Sequence, residues 1–265
     1  MAGDGAGAVR QLEDSRVVIT GGTSGVGLAA ARQFAAAGVR HIVLLGRSEE
    51  RGRAACAAVK EQAPEAQVDF VRVDANDAAD VTRAVDECLS LLGRIDVLVN
   101  SSSSAGIPAL LHDTPIEDIA GLLNGQALAP MHMTRAVLPS MREQRCGVIL
   151  NVASDAAKVA TPGETVLGGG MAAIVMFSRA LALEAKRDGI RVNALTPSLI
   201  VGTPTGERVL KEGFSRKLFT KAASMAQLGV AEPDDLAGLI VFLASPAAAR
   251  LTGQAISVNG GISAA

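Results

Sequence analysis

Three features of this chain have residue types and spacings that bear on chemistry. The first is the run Thr20-Gly21-Gly22-Thr23-Ser24-Gly25-Val26-Gly27, which follows a short β-branched stretch and leads directly into an apolar-periodic segment. Glycines between a strand and a helix let the backbone turn tightly and approach a pyrophosphate, whose charge is stabilised by the free amides and dipole of the helix N-terminus. The second is Arg47, which closes the next apolar run, Leu44-Leu45-Gly46-Arg47. A carboxylate at that place binds a ribose 2′-hydroxyl, whereas an arginine pairs bidentately with a 2′-phosphate, so the dinucleotide expected here is NADP(H). The third is an absence: among 265 residues there is no Tyr and no Trp, and six Phe are the whole aromatic content. Any mechanism that needs a tyrosine phenol is excluded.

The elements that must position these residues follow from composition and pattern. With 49% apolar residues the chain can fill a substantial core, and 25 Lys+Arg against 27 Asp+Glu leave a net charge of -2, too small a field to attract nucleic acid or acidic membranes. Short β-branched or apolar runs at 16–20, 41–45, 68–73, 95–99, 147–152, 191–195 and 255–258 alternate with helix-like segments at 26–37, 49–62, 78–92, 115–141, 171–186 and 234–243. That alternation predicts an α/β fold: a Rossmann-type doubly wound parallel sheet of seven strands with helices on both faces. No linker interrupts it, so residues 15–265 form a single domain, preceded by a loose arm at 1–14. Residues 203–230 are helix-like but poorly patterned, in the place where such folds put a substrate lid. The apolar stretch at 236–244 is too short to span a bilayer, and the first fourteen residues do not read as a signal peptide; no membrane association and a cytoplasmic location are expected. Cys56, Cys88 and Cys146 have no metal-ligand spacing, and no metal site is expected.

The spacing TGxxxGxG is where the chain resembles the short-chain dehydrogenase/reductase family. The resemblance covers nearly the whole length, through Asp74 and Ala75, Leu98-Val99-Asn100, Asn124, Asn151-Val152-Ala153-Ser154, the run from Ser178 to Glu184, Gly189-Ile190-Arg191-Val192-Asn193, Pro197, Leu251-Thr252-Gly253-Gln254 and Val258-Asn259-Gly260-Gly261. It implies that Gly21, Thr23, Ser24, Gly25, Val26, Gly27, Arg47, Asp74, Ala75 and Asn100 hold the cofactor, Asp74 at the adenine amino group and Asn100 on the adenosine ribose side. It also implies a catalytic Tyr thirteen residues after Ser154 and a Lys four further on, with Asn124 holding a relay water. Those two positions are Leu167 and Met171. Ser154 and Asn124 are then remnants, since an unactivated hydroxyl has a poor driving force for proton transfer.

Further departures lie on the nicotinamide side: Ser101 to Ser104 lengthen the turn after the fourth strand, Ser198 follows Pro197, and Thr203 lies one position beyond the family's usual threonine. Gly168-Gly169-Gly170 weakens the first turn of the helix that should carry catalysis. Asp155, Lys158 and His112 are the acids that could substitute for the phenol. The reading that follows is a catalytically degenerate homologue: a structural or regulatory subunit of an NAD(P)-dependent alcohol or hydroxyacyl-CoA dehydrogenase, in a dimer or tetramer with an active homologous subunit. Its contacts would run through Ala127, Leu128, Ala129, Met131, Met133, Met176, Phe177 and Leu181 on the two long helices. The alternative is an NADPH-binding enzyme of altered chemistry, such as imine reduction, cyclisation or dehydration. The cradle either binds NADP(H) or is vestigial and binds nothing.

Overall fold

A computed structural model describes residues 9–102, 106–211 and 213–265. Strands β1 (Arg16–Thr20), β2 (His41–Gly46), β3 (Gln67–Arg72), β4 (Val97–Asn100), β5 (Gly147–Val152), β6 (Ile190–Pro197) and β7 (Ala255–Val258) form one sheet in the order β3-β2-β1-β4-β5-β6-β7. Every pairing is parallel. A parallel sheet is covered on both faces, so its central strands read as unbroken apolar runs; Val17, Val18 and Ile19 are all fully buried.

Helices α1 (Gly25–Ala36), α2 (Glu49–Gln62) and α8 (Pro233–Ala244) cover one face, with Phe34, Val59, Leu236 and Ile240 in that core layer. On the other lie α3 (Ala78–Leu92), α4 (Asp118–Glu143) and α5 (Thr165–Ala185), which contribute Val85, Met133, Val137 and Leu181. Residues 203–230 fold into α6 (Pro204–Val209) and α7 (Gly213–Met225). Residues 1–8 of the expected arm lie outside the described residues. The remainder of it is tied down rather than loose: Arg10 pairs with the buried Asp96 at 2.6 Å, Leu12 packs against the core, and Arg94 binds Asp96 and the Asp14 carbonyl.

One boundary differs from the sequence reading in a way that matters for the site. Helix α5 begins at Thr165, not near Met171, and the three glycines lie inside it. The intrinsic cost of helical glycine, up to about 1 kcal/mol each relative to Ala, is offset by packing. A Cβ on Gly170 would lie 2.8 Å from the Gln126 Cβ, so glycine is what lets α5 approach α4 this closely. The segment 165–188 is long and apolar enough to cross a membrane by length and composition; here it packs against α4 and β6.

Candidate active site and cofactor cradle

The strand order reverses between β1 and β4, and in open α/β sheets the crevice at the carboxyl ends of the strands flanking such a reversal is where ligands bind. The glycine run occupies that crevice. Ser24 is the N-cap of α1 but makes no side-chain cap, so the first amides of the helix point outward without a side-chain acceptor. Gly27 passes so near the preceding turn that a Cβ on it would lie 2.5 Å from the Gly21 carbonyl oxygen and 2.6 Å from Ser101 Oγ. Ser101 itself is held by bonds from its Oγ to the Thr20 carbonyl and from its amide to Thr20 Oγ1. Thr203, the N-cap of α6, lies over Gly25, its Cγ2 3.2 Å from where a Cβ would be. A cradle walled by the Gly21 carbonyl and the Ser101 and Thr203 side chains, at a helix N-terminus without a side-chain cap, fits a pyrophosphate.

Arg47 is exposed just past β2, and Gly46 beside it approaches Thr23 of the cradle, so the chain at Arg47 runs next to the glycine run. Asp74 is exposed after β3 and accepts the Asn76 amide, while Ala75 is buried, its carbonyl 3.3 Å from His132 Nδ1. Asn100 ends β4 beside the cradle, with its side chain turned into the fold. Its side chain is buried inside the fold, where its Nδ2 donates to Asn151 Oδ1 (2.8 Å) and Thr134 Oγ1 (3.3 Å) and its Oδ1 faces Thr20 Oγ1. Asn151 Nδ2 in turn donates to Ser178 Oγ, which donates to the Ile174 carbonyl. The amide is consumed in stitching β1, β4, β5 and α5 together.

The reacting end is assembled from the turn after β5 and the start of α5. Ser154 Oγ accepts the Ala156 amide at 3.2 Å and caps the short 3₁₀ turn Asp155–Ala157. Leu167 is buried, with its Cδ2 against Gly106 of the turn after β4. Met171 packs half-buried against Ala153, Ile174, Val175 and Ala194, so both positions present hydrocarbon. Asn124 is exposed, and it is Gln126, two residues and about 200° further around the helix, that is buried against Gly170 and Gly106. Asn124 and Gln126 differ in helical phase, which motif matching does not register.

The three substitute acids are not gathered. His112 is 76% exposed beside Asp113. Lys158 Nζ is spent on Ser257 Oγ and the Ala265 carbonyl, each at 2.6 Å, and burial holds its pKa below the ordinary value. Asp155 is buried; its Oδ2 accepts from Ser263 Oγ and Asn259 Nδ2, and its Oδ1 has no hydrogen-bond partner among the described residues. The structure adds an acid that sequence reasoning passed over. Glu164, at the N-cap of α5 and three residues before Leu167, is half-buried, and burial followed by the charge of Asp155 pushes its carboxyl up to about 7. The available signal was an acid one helical turn ahead of Leu167, on the turn Pro162-Gly163-Glu164.

Comparison with known proteins agrees with this architecture. A family model described as Enoyl-(Acyl carrier protein) reductase matches residues 21–263. The chain is 39% identical to a Streptomyces virginiae protein named for ketoacyl reduction in the monensin polyketide synthase, over 94% of this chain and 97% of the other. It is 31% identical to the 3-oxoacyl-(acyl-carrier-protein) reductase FabG of Chlamydia trachomatis, over 95% and 98%. Among solved structures, an actinorhodin polyketide ketoreductase with NADPH superimposes with a TM-score of 0.85 at 27% identity, covering 96% of this chain and 99% of that one. Matches of this length and identity, on a sheet whose reversal point carries the glycine cradle, place the chain in the short-chain dehydrogenase/reductase family.

Proposed function

We propose that this chain binds NADP(H) in the cradle at residues 21–27 and acts as an oxidoreductase on an oxo or imino group of an acyl-type substrate, by a route that uses no phenol. The observation that carries the reading is the cradle itself: close walls around Gly25 and Gly27 and a helix N-terminus without a side-chain cap, shaped for a pyrophosphate, with Gly46 before Arg47 touching Thr23. When bound, the dinucleotide supplies the hydride. The acyl class comes from relatives named for ketoacyl reduction. An imino substrate suits the hydrocarbon at Leu167 and Met171, because an iminium already carries the positive charge that a ketone acquires only by protonation. Calorimetric titration tests the reading. Arg47→Ala should weaken NADPH by about 1.5–3 kcal/mol, the range for hydrogen bonds to a charged group and roughly 10- to 150-fold in Kd, while NADH binding stays unchanged. Equal losses for the two cofactors, or no binding by the unmodified protein, would overturn it.

A second reading, that of a partner subunit in an oligomer, has its own observation. Most of the contact residues expected from sequence are spent inside the protomer: Met133, Leu181, Ala127 and Ala129 are buried, and Phe177 packs against the core. The exposed face of α5 is instead a stripe of Met176, Ala180 and Leu183, with Met176 62% and Leu183 67% exposed. Residues at i, i+4 and i+7 share one face of a helix, and an apolar face of this kind is a place for a second subunit, a copy of this chain or an active homologue. Introducing Met176→Glu with Leu183→Glu should convert the assembly to monomers in light scattering. A wild-type protein that is already monomeric, alone and with its co-expressed homologue, would remove this reading.

A further inference from the structure

Glu164 stands where four segments of the fold meet. Its amide donates to the Thr161 carbonyl, closing the turn that leads into α5, and its carbonyl accepts the Gly168 amide at 2.6 Å, so it sits on the helix it caps. One turn on, Gly168 faces the 3₁₀ turn after Ser154: a Cβ there would be 2.9 Å from the Ala156 carbonyl oxygen. Leu167 faces Gly106 in the turn after β4, and the Ala109 amide donates to the Gly163 carbonyl. The ring of Phe214, on α7, lies against Gly163. The backbone of Glu164 therefore lies where residues 106–109, the turn after β5, the start of α5 and the Phe214 ring of α7 come together, and its side chain is half-buried there, at the carboxyl edge of the sheet that also holds the cradle.

We propose that Glu164 is the proton donor of this site, giving its carboxyl proton to the oxygen or nitrogen of an oxo or imino group whose carbon would take the hydride that a reduced nicotinamide dinucleotide supplies when bound. The inference rests on the NADP(H) reading above and names the group that replaces the missing phenol. Two electrons and a hydrogen reach carbon as hydride, the Glu164 O–H bond breaks, the product is the alcohol or amine, and the Glu164 carboxylate left behind regains its proton from water. The charge around it suits an acid. Met171 brings no cation to this end of α5, the described residues 106–110 carry no charged side chain, and Lys158 is tied to the C-terminal segment. Arg216, Lys217 and Lys221 of α7 line a groove that Phe214 borders, and none of them is among the charges that shift Glu164. The charge that bears on Glu164 is that of Asp155, which is buried with one oxygen unpartnered among the described residues. Burial and that neighbour keep Glu164 protonated to about pH 7, near the operating range where a general acid is most effective.

The test compares wild type with Glu164→Gln, a near-isostere. Single-turnover oxidation of NADPH is followed with acetoacetyl-N-acetylcysteamine as the oxo probe, and NADPH binding is measured by calorimetry on the same samples. Glu164→Gln should slow oxidation by at least about 100-fold, within the span of general-acid effects, with the NADPH Kd unchanged within twofold. The wild-type rate should fall about tenfold per pH unit above 7, as the protonated form is lost. A second readout needs no turnover. A carboxyl raised in the folded state to about 7 from its ordinary 4.5 withdraws stability progressively as pH rises between those values, so the Tm of Glu164→Gln should climb relative to wild type across that window and level off above it. A Tm gap independent of pH, equal rates in the two proteins, or bound NADPH that the wild type does not oxidise with this probe would each overturn the assignment of Glu164. Absence of NADPH binding would instead overturn the cofactor reading on which it rests.

Discussion

Gly27→Ala is expected to abolish dinucleotide binding, raising the Kd for NADPH by more than about 100-fold, equivalent to the loss of one or two charge-assisted hydrogen bonds. The added Cβ would lie 2.5 Å from the Gly21 carbonyl and 2.6 Å from Ser101 Oγ. Neither neighbour can yield freely: Gly21 is in a tight turn at φ +65°, and Ser101 is pinned to Thr20 by two hydrogen bonds. The start of α1 must tilt away from the turn, which moves the first-turn amides off the position a pyrophosphate needs. Overpacking of this kind also costs about 1–3 kcal/mol of stability. Calorimetry with NADPH, alongside thermal unfolding to confirm that the variant is folded, checks the expectation. A folded Gly27→Ala protein that binds NADPH within threefold of wild type would show that the cradle does not hold the phosphates.

Asn151→Ala should be the most destabilising of the single substitutions considered, by about 2–4 kcal/mol. Asn151 is fully buried and is the middle link of the chain from Asn100 through Asn151 to Ser178. Truncation deprives the Asn100 amide of its 2.8 Å acceptor and Ser178 Oγ of its donor, at about 1–3 kcal/mol for each buried group left unsatisfied, partly relieved because Asn100 keeps Thr134 and Ser178 keeps the Ile174 carbonyl. For a domain of this size each kcal/mol shifts Tm by about 2–4 °C, so a fall of roughly 4–16 °C is expected. A fall of less than about 2 °C would mean that this network contributes little to joining β4, β5 and α5. The NADPH Kd of the folded variant is expected to remain near wild type, because the chain lies within the fold rather than in the cradle.

The fold was legible because parallel sheets leave a strong trace. Strands buried on both faces must be apolar throughout, and the helices between them must each show one apolar side; β1, β5 and β7 and helices α2 and α3 lie at the bounds read from the sequence. The start of α5 was not legible, since helix propensity penalises Gly168-Gly169-Gly170 and only the proximity of Gln126 shows why glycine is needed there. Spacing also could not separate Asn124 from Gln126, or a ribose-binding Asn100 from one sealed between strands.

By itself, then, the sequence determined the sheet, the glycine cradle with Arg47 beside the next strand, and the absence of any phenol, because each of these is a matter of residue type and local period. The tertiary structure decided which polar groups are already engaged inside the fold, as with the Asn100 side chain and Lys158, and which acid is half-buried and held protonated, as with Glu164. The physical reason is that desolvation and hydrogen-bond partnership depend on how segments pack in space, not on their spacing in the chain. Here Asp155 acts on Glu164 only because a turn after β5 and the first turn of α5 are packed together, at a distance that no pattern along the sequence encodes.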